Sequence, residues 1–141
     1  MKQLGFTLVE LMVVIAIVAL LTAIALPNFT GQAAKAKMTE AQSIAAASLK
    51  QAAGYFWDKG SEGVQAWAKS GSCPTETQSF EFDCFGAEGT LPRVIAKGKA
   101  GSGLDNQQLL AEVDLDTKNS SFGQIKMCGT MPGLSSCRPG G

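Results

Sequence analysis

The chain has 141 residues, enough for one domain with an appendage, and its 12 basic residues are balanced by 12 acidic ones. This balance excludes a strong long-range attraction to nucleic acid or to anionic lipid. Histidine is absent, which excludes a Ser-His or Cys-His catalytic pair and removes the commonest metal ligand. Charged residues make up 17% of the chain, below the roughly 25% of an average soluble domain, and the first 34 residues account for most of the deficit.

A long apolar segment begins near the N-terminus, and it is preceded by one acid. The segment 11–26 has Thr22 as its one polar side chain, and Glu10 stands directly before it. A membrane-spanning helix needs about 20 apolar residues, so this segment could cross a bilayer. A carboxylate costs roughly 2.5–3.5 kcal/mol at the centre of such a helix and less near its edge, which makes Glu10 a candidate functional residue. Its expected partner is a free α-amino group on Phe6, created by cutting the chain after Gly5.

Three interpretations of this N-terminal region are open. It could be a plain transmembrane anchor. It could be a secretory signal cut after Ala25, where Ala23-Ile24-Ala25 resembles a signal-peptidase site, although a charge such as Glu10 is rare inside such signals. The third interpretation is a short leader, residues 1–5, that is cut off on the cytoplasmic side so that the apolar helix is retained.

The third interpretation is supported by a resemblance to a known family. The apolar run and the string in front of it resemble the type IV pilins, and that string is Gly5-Phe6-Thr7-Leu8-Val9-Glu10. The resemblance implies that a prepilin peptidase cuts after Gly5 and N-methylates Phe6. It also implies that Glu10 guides the docking of subunits and that Pro27 bends the helix. Gly31 adds a second flexible position by its own chemistry.

The helical pattern continues beyond the proline. Residues 6–27 are expected to form the transmembrane and polymerisation helix, and residues 28–58 its amphipathic continuation. The continuation carries an apolar stripe at steps of three and four residues, made of Ala34, Met38, Ala41, Ala45, Leu49, Ala52 and Phe56. Gly60, followed by Ser61 and Gly63, indicates the end of the helix.

Residues 59–141 are predicted to form a small β-rich head. A short turn is expected near 64–68, followed by four strands that alternate apolar and polar residues, at 79–85, 91–96, 109–116 and 122–128. Trp57 and Trp67 are expected to cover the junction between helix and sheet. The predicted fold class is therefore α+β, a long bent N-terminal helix packed on a small antiparallel sheet. The pilin resemblance implies the same fold.

Four cysteines lie in the predicted head, downstream of a membrane-directing segment, and this context favours disulfides. They allow three connectivities, of which we favour the sequence-local pairs Cys73–Cys84 and Cys128–Cys137. The second loop resembles the disulfide-bounded C-terminal region of pilins, a common contact surface. Because many pilins have one such bridge, the second one leaves the connectivity open. Spacings of 11 and 9 positions do not match the closely spaced cysteine pairs of zinc sites.

No cofactor or metal is expected from the remaining side chains. Asp105, Glu112, Asp114 and Asp116 raise the question of a calcium site, because calcium prefers oxygen ligands. The last three of these acids alternate, however, as residues on the solvated face of a strand do. The sequence therefore predicts a surface here and no metal site.

Contact with DNA is conceivable but receives little support from the sequence. Arg93, Lys97 and Lys99 form a modest basic cluster that could contact phosphates. Three cations without stacking aromatics are, however, typical of ordinary solvated surface.

The expected function is structural, with no enzymatic activity. The resemblance implies a bacterial subunit that waits in the inner membrane and polymerises with copies of itself and with other pilins into a surface fibre. It implies a prepilin peptidase and pilus assembly machinery as partners, and adhesion, twitching motility or DNA uptake as roles. Two alternatives stay open: a pseudopilin of type II secretion, and a secreted soluble binding domain.

Overall fold

The computed structural model describes residues 5–74, 76–86 and 91–137, and for residues 26–30 it describes the backbone alone. The chain divides into two compact units, residues 1–36 and residues 37–141. Most of the predicted leader, residues 1–4, lies outside the described residues.

The first element is a single helix, α1, that spans Leu8–Lys59. Its sequence is rich in alanine, which favours the helical backbone. Its apolar side chains favour packing of the helix against other apolar surfaces. It ends where the sequence predicts, because Gly60 has a positive φ of 62°, which side-chain-bearing residues rarely adopt. The helix is continuous at Pro27 and Gly31, and the bend expected there stays a prediction.

A second helix, α2, spans Ser61–Lys69, where the sequence suggested only a short turn. Gly63, which was taken as part of a helix stop, has a packing role instead. A Cβ at this position would lie 2.0 Å from the carbonyl oxygen of Tyr55, so only glycine permits this approach of α2 to α1. The same helix places Trp67 in the core, where it is fully buried.

Four antiparallel strands form one sheet in the order β1-β2-β3-β4. All four strands were predicted, with ends that differ by up to three residues. Their bounds are β1 Phe80–Phe85, β2 Arg93–Gly98, β3 Gln108–Val113 and β4 Ile125–Gly129.

The core of residues 37–141 lies between the predicted helix stripe and one face of this sheet. The middle of the stripe, Met38, Ala41, Ala45, Leu49 and Ala52, is at most 8% exposed. Its ends, Ala34 and Phe56, are half-buried. The sheet contributes the alternating set Phe80, Phe82, Val94, Ala96, Leu109, Ala111 and Val113, each at most 4% exposed.

The expected position of Trp57 was wrong, whereas Trp67 is fully buried in the core. Trp57 is 68% exposed, because it lies one residue beyond the buried stripe that runs through Ala52 and Phe56. Its ring stands edge-on against Phe122, with 5.7 Å between the ring centroids. The pair joins α1 to the loop before β4.

Candidate processing and assembly site

The predicted cleavage site lies directly before the first turn of α1. Phe6 is 93% exposed and Gly5 has open space around it. In the uncut chain the Phe6 nitrogen is an amide nitrogen, so the ammonium group that we expect as the partner of Glu10 requires cleavage after Gly5. Thr7 follows as the residue that caps the helix.

Glu10 takes part in a reciprocal cap with Thr7. The Thr7 backbone N–H and the Thr7 hydroxyl both donate to Glu10 Oε2, each at 2.9 Å. The Glu10 backbone N–H in turn donates to Thr7 Oγ1 at 3.2 Å. This is a capping box, in which a threonine and a glutamate three residues later satisfy N–H groups that have no helical partner.

The capping box was missed at the sequence level, although its signature is plain in Thr7-Leu8-Val9-Glu10. The observation changes the account of Glu10. Its carboxylate holds the start of the helix in the single chain, in addition to any contact with another subunit.

The helix beyond this cap is long and apolar enough to cross a membrane over Leu8–Ala25, and none of these residues is buried. Leu20 is 69% exposed and Ile24 is 69% exposed. The hydroxyl of Thr22 donates to the carbonyl oxygens of Val18 and Ala19, both at 3.0 Å, which satisfies the polar group within the helix. The surface of Leu8–Ala25 is therefore mostly hydrocarbon, and the hydroxyl donor of Thr22 is satisfied within the helix.

The head contains both sequence-local disulfides. Cys73 and Cys84 are joined with 5.9 Å between their Cα atoms, and Cys128 and Cys137 with 4.9 Å. The first bridge ties the loop before β1 to that strand. The second closes the loop that follows β4.

The four acids considered for calcium do not form a site. Among the described residues, no group of three or more His, Cys, Asp or Glu side chains is arranged to hold a metal ion. Glu112 faces Arg93, with 3.2 Å between carboxylate oxygen and Nε. Asp105 and Asp116 belong to turns and contact neither Glu112 nor each other through any described hydrogen bond.

Asp114 organises the loop between β3 and β4. Its carboxylate accepts hydrogen bonds from the Ser121 hydroxyl at 2.6 Å, from the Asp116 backbone N–H at 3.0 Å and from the Asn119 side-chain amide at 3.0 Å. These bonds, with that from Ser121 the strongest influence, hold the pKa of Asp114 below its ordinary value. The sequence-level view of Asp114 as a solvated surface residue was therefore wrong, because the side chain is almost buried.

The basic cluster is neutralised by neighbouring carboxylates. Lys97 Nζ lies 2.8 Å from Asp83, and Lys99 Nζ lies 2.6 Å from Glu76. The hydrogen bond that Lys97 donates to Asp83 raises the pKa of Lys97, and the one that Lys99 donates to Glu76 lowers the pKa of Glu76. With Arg93 facing Glu112, each of the three cations has a described carboxylate beside it.

Comparisons with known proteins give a match for the N-terminal motif and relatives for the chain. A family profile described as the prokaryotic N-terminal methylation motif matches residues 1–26. A fimbrial protein of Pseudomonas aeruginosa is 37% identical over 125 residues, which cover 88% of this chain and 74% of that protein.

Other relatives match a shorter stretch of the chain. The fimbrial protein EcpC of Eikenella corrodens is 47% identical over 58 residues, covering 41% of this chain and 38% of that protein. The type IV major pilin protein PilE1 of Neisseria gonorrhoeae is 43% identical over 58 residues, covering 41% of this chain and 35% of that protein. No solved structure matches the chain significantly.

The methylation motif, the exposed apolar helix and the helix-and-sheet head define a pilin-like protein of the α+β class. The similarity to the Pseudomonas aeruginosa protein extends over most of both chains. The chain belongs to the type IV pilin family.

Proposed function

We propose that this chain is a structural subunit of a type IV pilus that polymerises through the N-terminal part of α1. The observation that carries the proposal is the apolar surface of Leu8–Ala25, none of which is buried in the single chain. Such a surface requires lipid before assembly and other copies of the same helix afterwards. The chain would wait in the inner membrane of a bacterium and would leave it for an extracellular fibre.

Processing is proposed to follow the motif residue by residue. A prepilin peptidase would cut after Gly5 and release residues 1–5, and the new terminus on Phe6 would be N-methylated. The ammonium group formed there would pair with Glu10 of a neighbouring subunit. A buried pair of this kind adds little net stability, but it fixes register because a misaligned subunit leaves a charge buried alone.

The capping box allows the two roles of Glu10 to be separated by mutation. Glu10→Gln keeps an oxygen that accepts from Thr7 and removes the charge, whereas Thr7→Val keeps the charge and removes the hydroxyl of the cap. If pairing between subunits is the main role, Glu10→Gln lowers fibre yield strongly and Thr7→Val lowers it little. Yield of sheared fibres, normalised to the membrane pool of the subunit, measures both.

The decisive experiment is the intact mass of the mature protein. A chain that begins at methylated Phe6 supports the proposal, and a chain that begins at Leu26 would overturn it in favour of a secreted soluble domain. Equal fibre yields from the Glu10→Gln variant and the original sequence would contradict the proposed pairing. They would not affect the conclusion from the intact mass.

The second candidate is a pseudopilin of type II secretion, which shares the N-terminal helix. Two disulfides in the head and the separated acids favour a pilus subunit. Thermal unfolding with and without calcium, and with and without reductant, distinguishes the two. Stabilisation by calcium without any effect of reduction would favour the pseudopilin. Adhesion, twitching motility and DNA uptake are alternative roles of the fibre, and phenotypes of a deletion strain would choose among them.

A further inference from the structure

The two edges of the sheet differ in how their backbone groups are used. Along β1, the Phe80 carbonyl accepts from the Thr77 backbone N–H at 2.7 Å, and the Phe80 N–H donates to the Thr77 hydroxyl at 3.1 Å. An isolated antiparallel bridge between Glu76 and Glu81 continues this cover. The chain before β1 therefore covers the start of this edge, at Phe80 and Glu81.

The opposite edge, formed by β4, can be analysed from its hydrogen bonds to β3. The Thr130 N–H donates to the Gln108 carbonyl at 2.9 Å, and the Asp114 N–H reaches the Gln124 carbonyl at 3.5 Å. In an antiparallel ladder, bonded and non-bonded pairs alternate. With this register, Lys126 and Cys128 are bonded to β3, whereas the backbone groups of Ile125, Met127 and Gly129 point away from it.

Among the described residues, the free edge of β4 has no partner at two alternate residues, Ile125 and Met127. The Gly129 N–H is taken by the Ser135 carbonyl at 2.9 Å. Within residues 5–74, 76–86 and 91–137, no described hydrogen bond uses the N–H or C=O of Ile125 or Met127 on this side. Two donors and two acceptors thus face outward, in the spacing that an extended strand requires.

The charge of the edge identifies the kind of partner that fits. Lys126 is exposed between the two open residues. It lies opposite Glu112 of β3, whose carboxylate is 3.2 Å from Arg93, and no described carboxylate forms a salt bridge with Lys126. If a second copy used all four open groups in antiparallel pairing, Ile125 would face Met127 and the two Lys126 side chains would lie directly opposite each other. Like charges in that position are destabilising, so self-pairing is disfavoured.

We propose that the open edge of β4 binds an extended segment of a different polypeptide, which adds a fifth strand to the sheet. The segment carries an acidic residue opposite Lys126 and apolar residues on either side of it, beside Ile125 and Met127. Backbone hydrogen bonds provide the affinity, and the acid provides the register. This inference is independent of the polymerisation of α1.

The test uses the full chain in detergent micelles and a blocked heptapeptide as the probe. The peptide alternates valine with threonine and has a central glutamate in place of the middle threonine. N-methylation of the two valines that flank the glutamate removes the N–H groups that face β4, whereas N-methylation of the glutamate removes one that faces away. We expect the first change to weaken binding by at least about tenfold and the second to leave it nearly unchanged, as measured by calorimetry.

Protein variants test the same edge from the other side. Lys126→Glu should weaken binding of the glutamate peptide and favour a peptide with lysine in its place. Met127→Pro removes an outward N–H without removing a bond to β3, and Met127→Leu is its matched control. Circular dichroism and thermal unfolding verify that both variants fold, and the peptide series decides the question if the proline variant does not.

Three results would overturn the proposal. One is equal affinity for the two N-methylated peptides. Another is a dimer of the full chain without peptide that Met127→Pro abolishes, because a second copy would then occupy the edge. The third is binding that occurs only after residues 138–141 are removed, because the edge would then be closed by the chain itself.

Discussion

The two parts of α1 are built from similar residues but meet different surroundings. Between Leu8 and Ala25 no residue is buried, whereas between Met38 and Ala52 every third or fourth residue is almost fully buried. The first part is apolar on all sides, and the second is apolar along one stripe. The comparison teaches that helix-forming residues alone do not fix what a helix packs against. The width of the apolar surface does, because one sheet face can bury a stripe, whereas a full apolar circumference needs neighbours on every side.

A matched pair of leucines in the same helix gives the strongest test of this contrast. Leu49 is fully buried and Leu20 is 69% exposed. Leu49→Ala should lower the free energy of unfolding of the head by about 2–5 kcal/mol, since it leaves a cavity in a packed core. Leu20→Ala should leave that free energy nearly unchanged. Denaturant unfolding of both variants in the same detergent measures the difference, and equal losses would remove the distinction between the two parts.

Loss of a disulfide should have the next largest effect on stability, because the head is small and its core is thin. Each bridge closes a loop with a sequence separation of 11 or 9 residues, for which chain entropy predicts about 3 kcal/mol. Replacing Cys73 and Cys84 together by alanine should lower the unfolding midpoint of the head without changing the helicity of residues 8–25. Circular dichroism and thermal unfolding measure the two quantities. A fall in the helicity of that segment would show that the two parts are not independent.

The exposed aromatic pair at the end of α1 should contribute less. Trp57 meets Phe122 edge-on, and such pairs contribute about 0.5–1.5 kcal/mol beyond buried area. A double-mutant cycle with Trp57→Ala and Phe122→Ala should return a coupling energy in this range. A coupling near zero would mean that Trp57 does not hold the loop before β4.

The smallest expected effect is on pH dependence, through Asp114. Its pKa in the folded chain is lowered from the ordinary 3.8, with the Ser121 hydroxyl as the largest cause. A lowered pKa stabilises the fold above the unfolded value, and this contribution is lost as the pH falls through the lower folded value. We therefore expect the loop around Asp114 to loosen only below about pH 4. The NMR signal of the Trp57 indole, which contacts Phe122, reports it, and Asp114→Asn should remove the transition.

Much of the fold could be predicted from the spacing of apolar residues alone. Alternation identified all four strands because one face of each packs against a core and the other meets solvent. The stripe from Met38 to Ala52 was predicted because one face of a helix packs against the core, which spaces apolar residues at a period of 3.6. The ends of strands were less well predicted, because pairing partners and not local pattern decide where a ladder stops.

The features that sequence reasoning missed depend on contacts between residues. Gly63 was taken as a helix stop, and only the 2.0 Å separation from the Tyr55 carbonyl shows why glycine is needed inside α2. Asp114 has the same alternating position as a solvated acid, yet its loop folds back to hydrogen-bond it. Glu10 was recognised as important from its charge, but its bond to Thr7 required attention to the helix start as well as to the membrane.

The pairing of the cysteines has a consequence for the order of oxidation. Each bridge joins two cysteines that are consecutive among the four along the chain. Cys73 and Cys84 therefore both reach the oxidising compartment before Cys128. An oxidase that meets the cysteines of the head in chain order therefore forms the native pair each time by joining the two thiols that arrive first. Such a head can be completed without an isomerase to reshuffle wrong bonds, and its first bridge can form while the rest of the chain is still in transit.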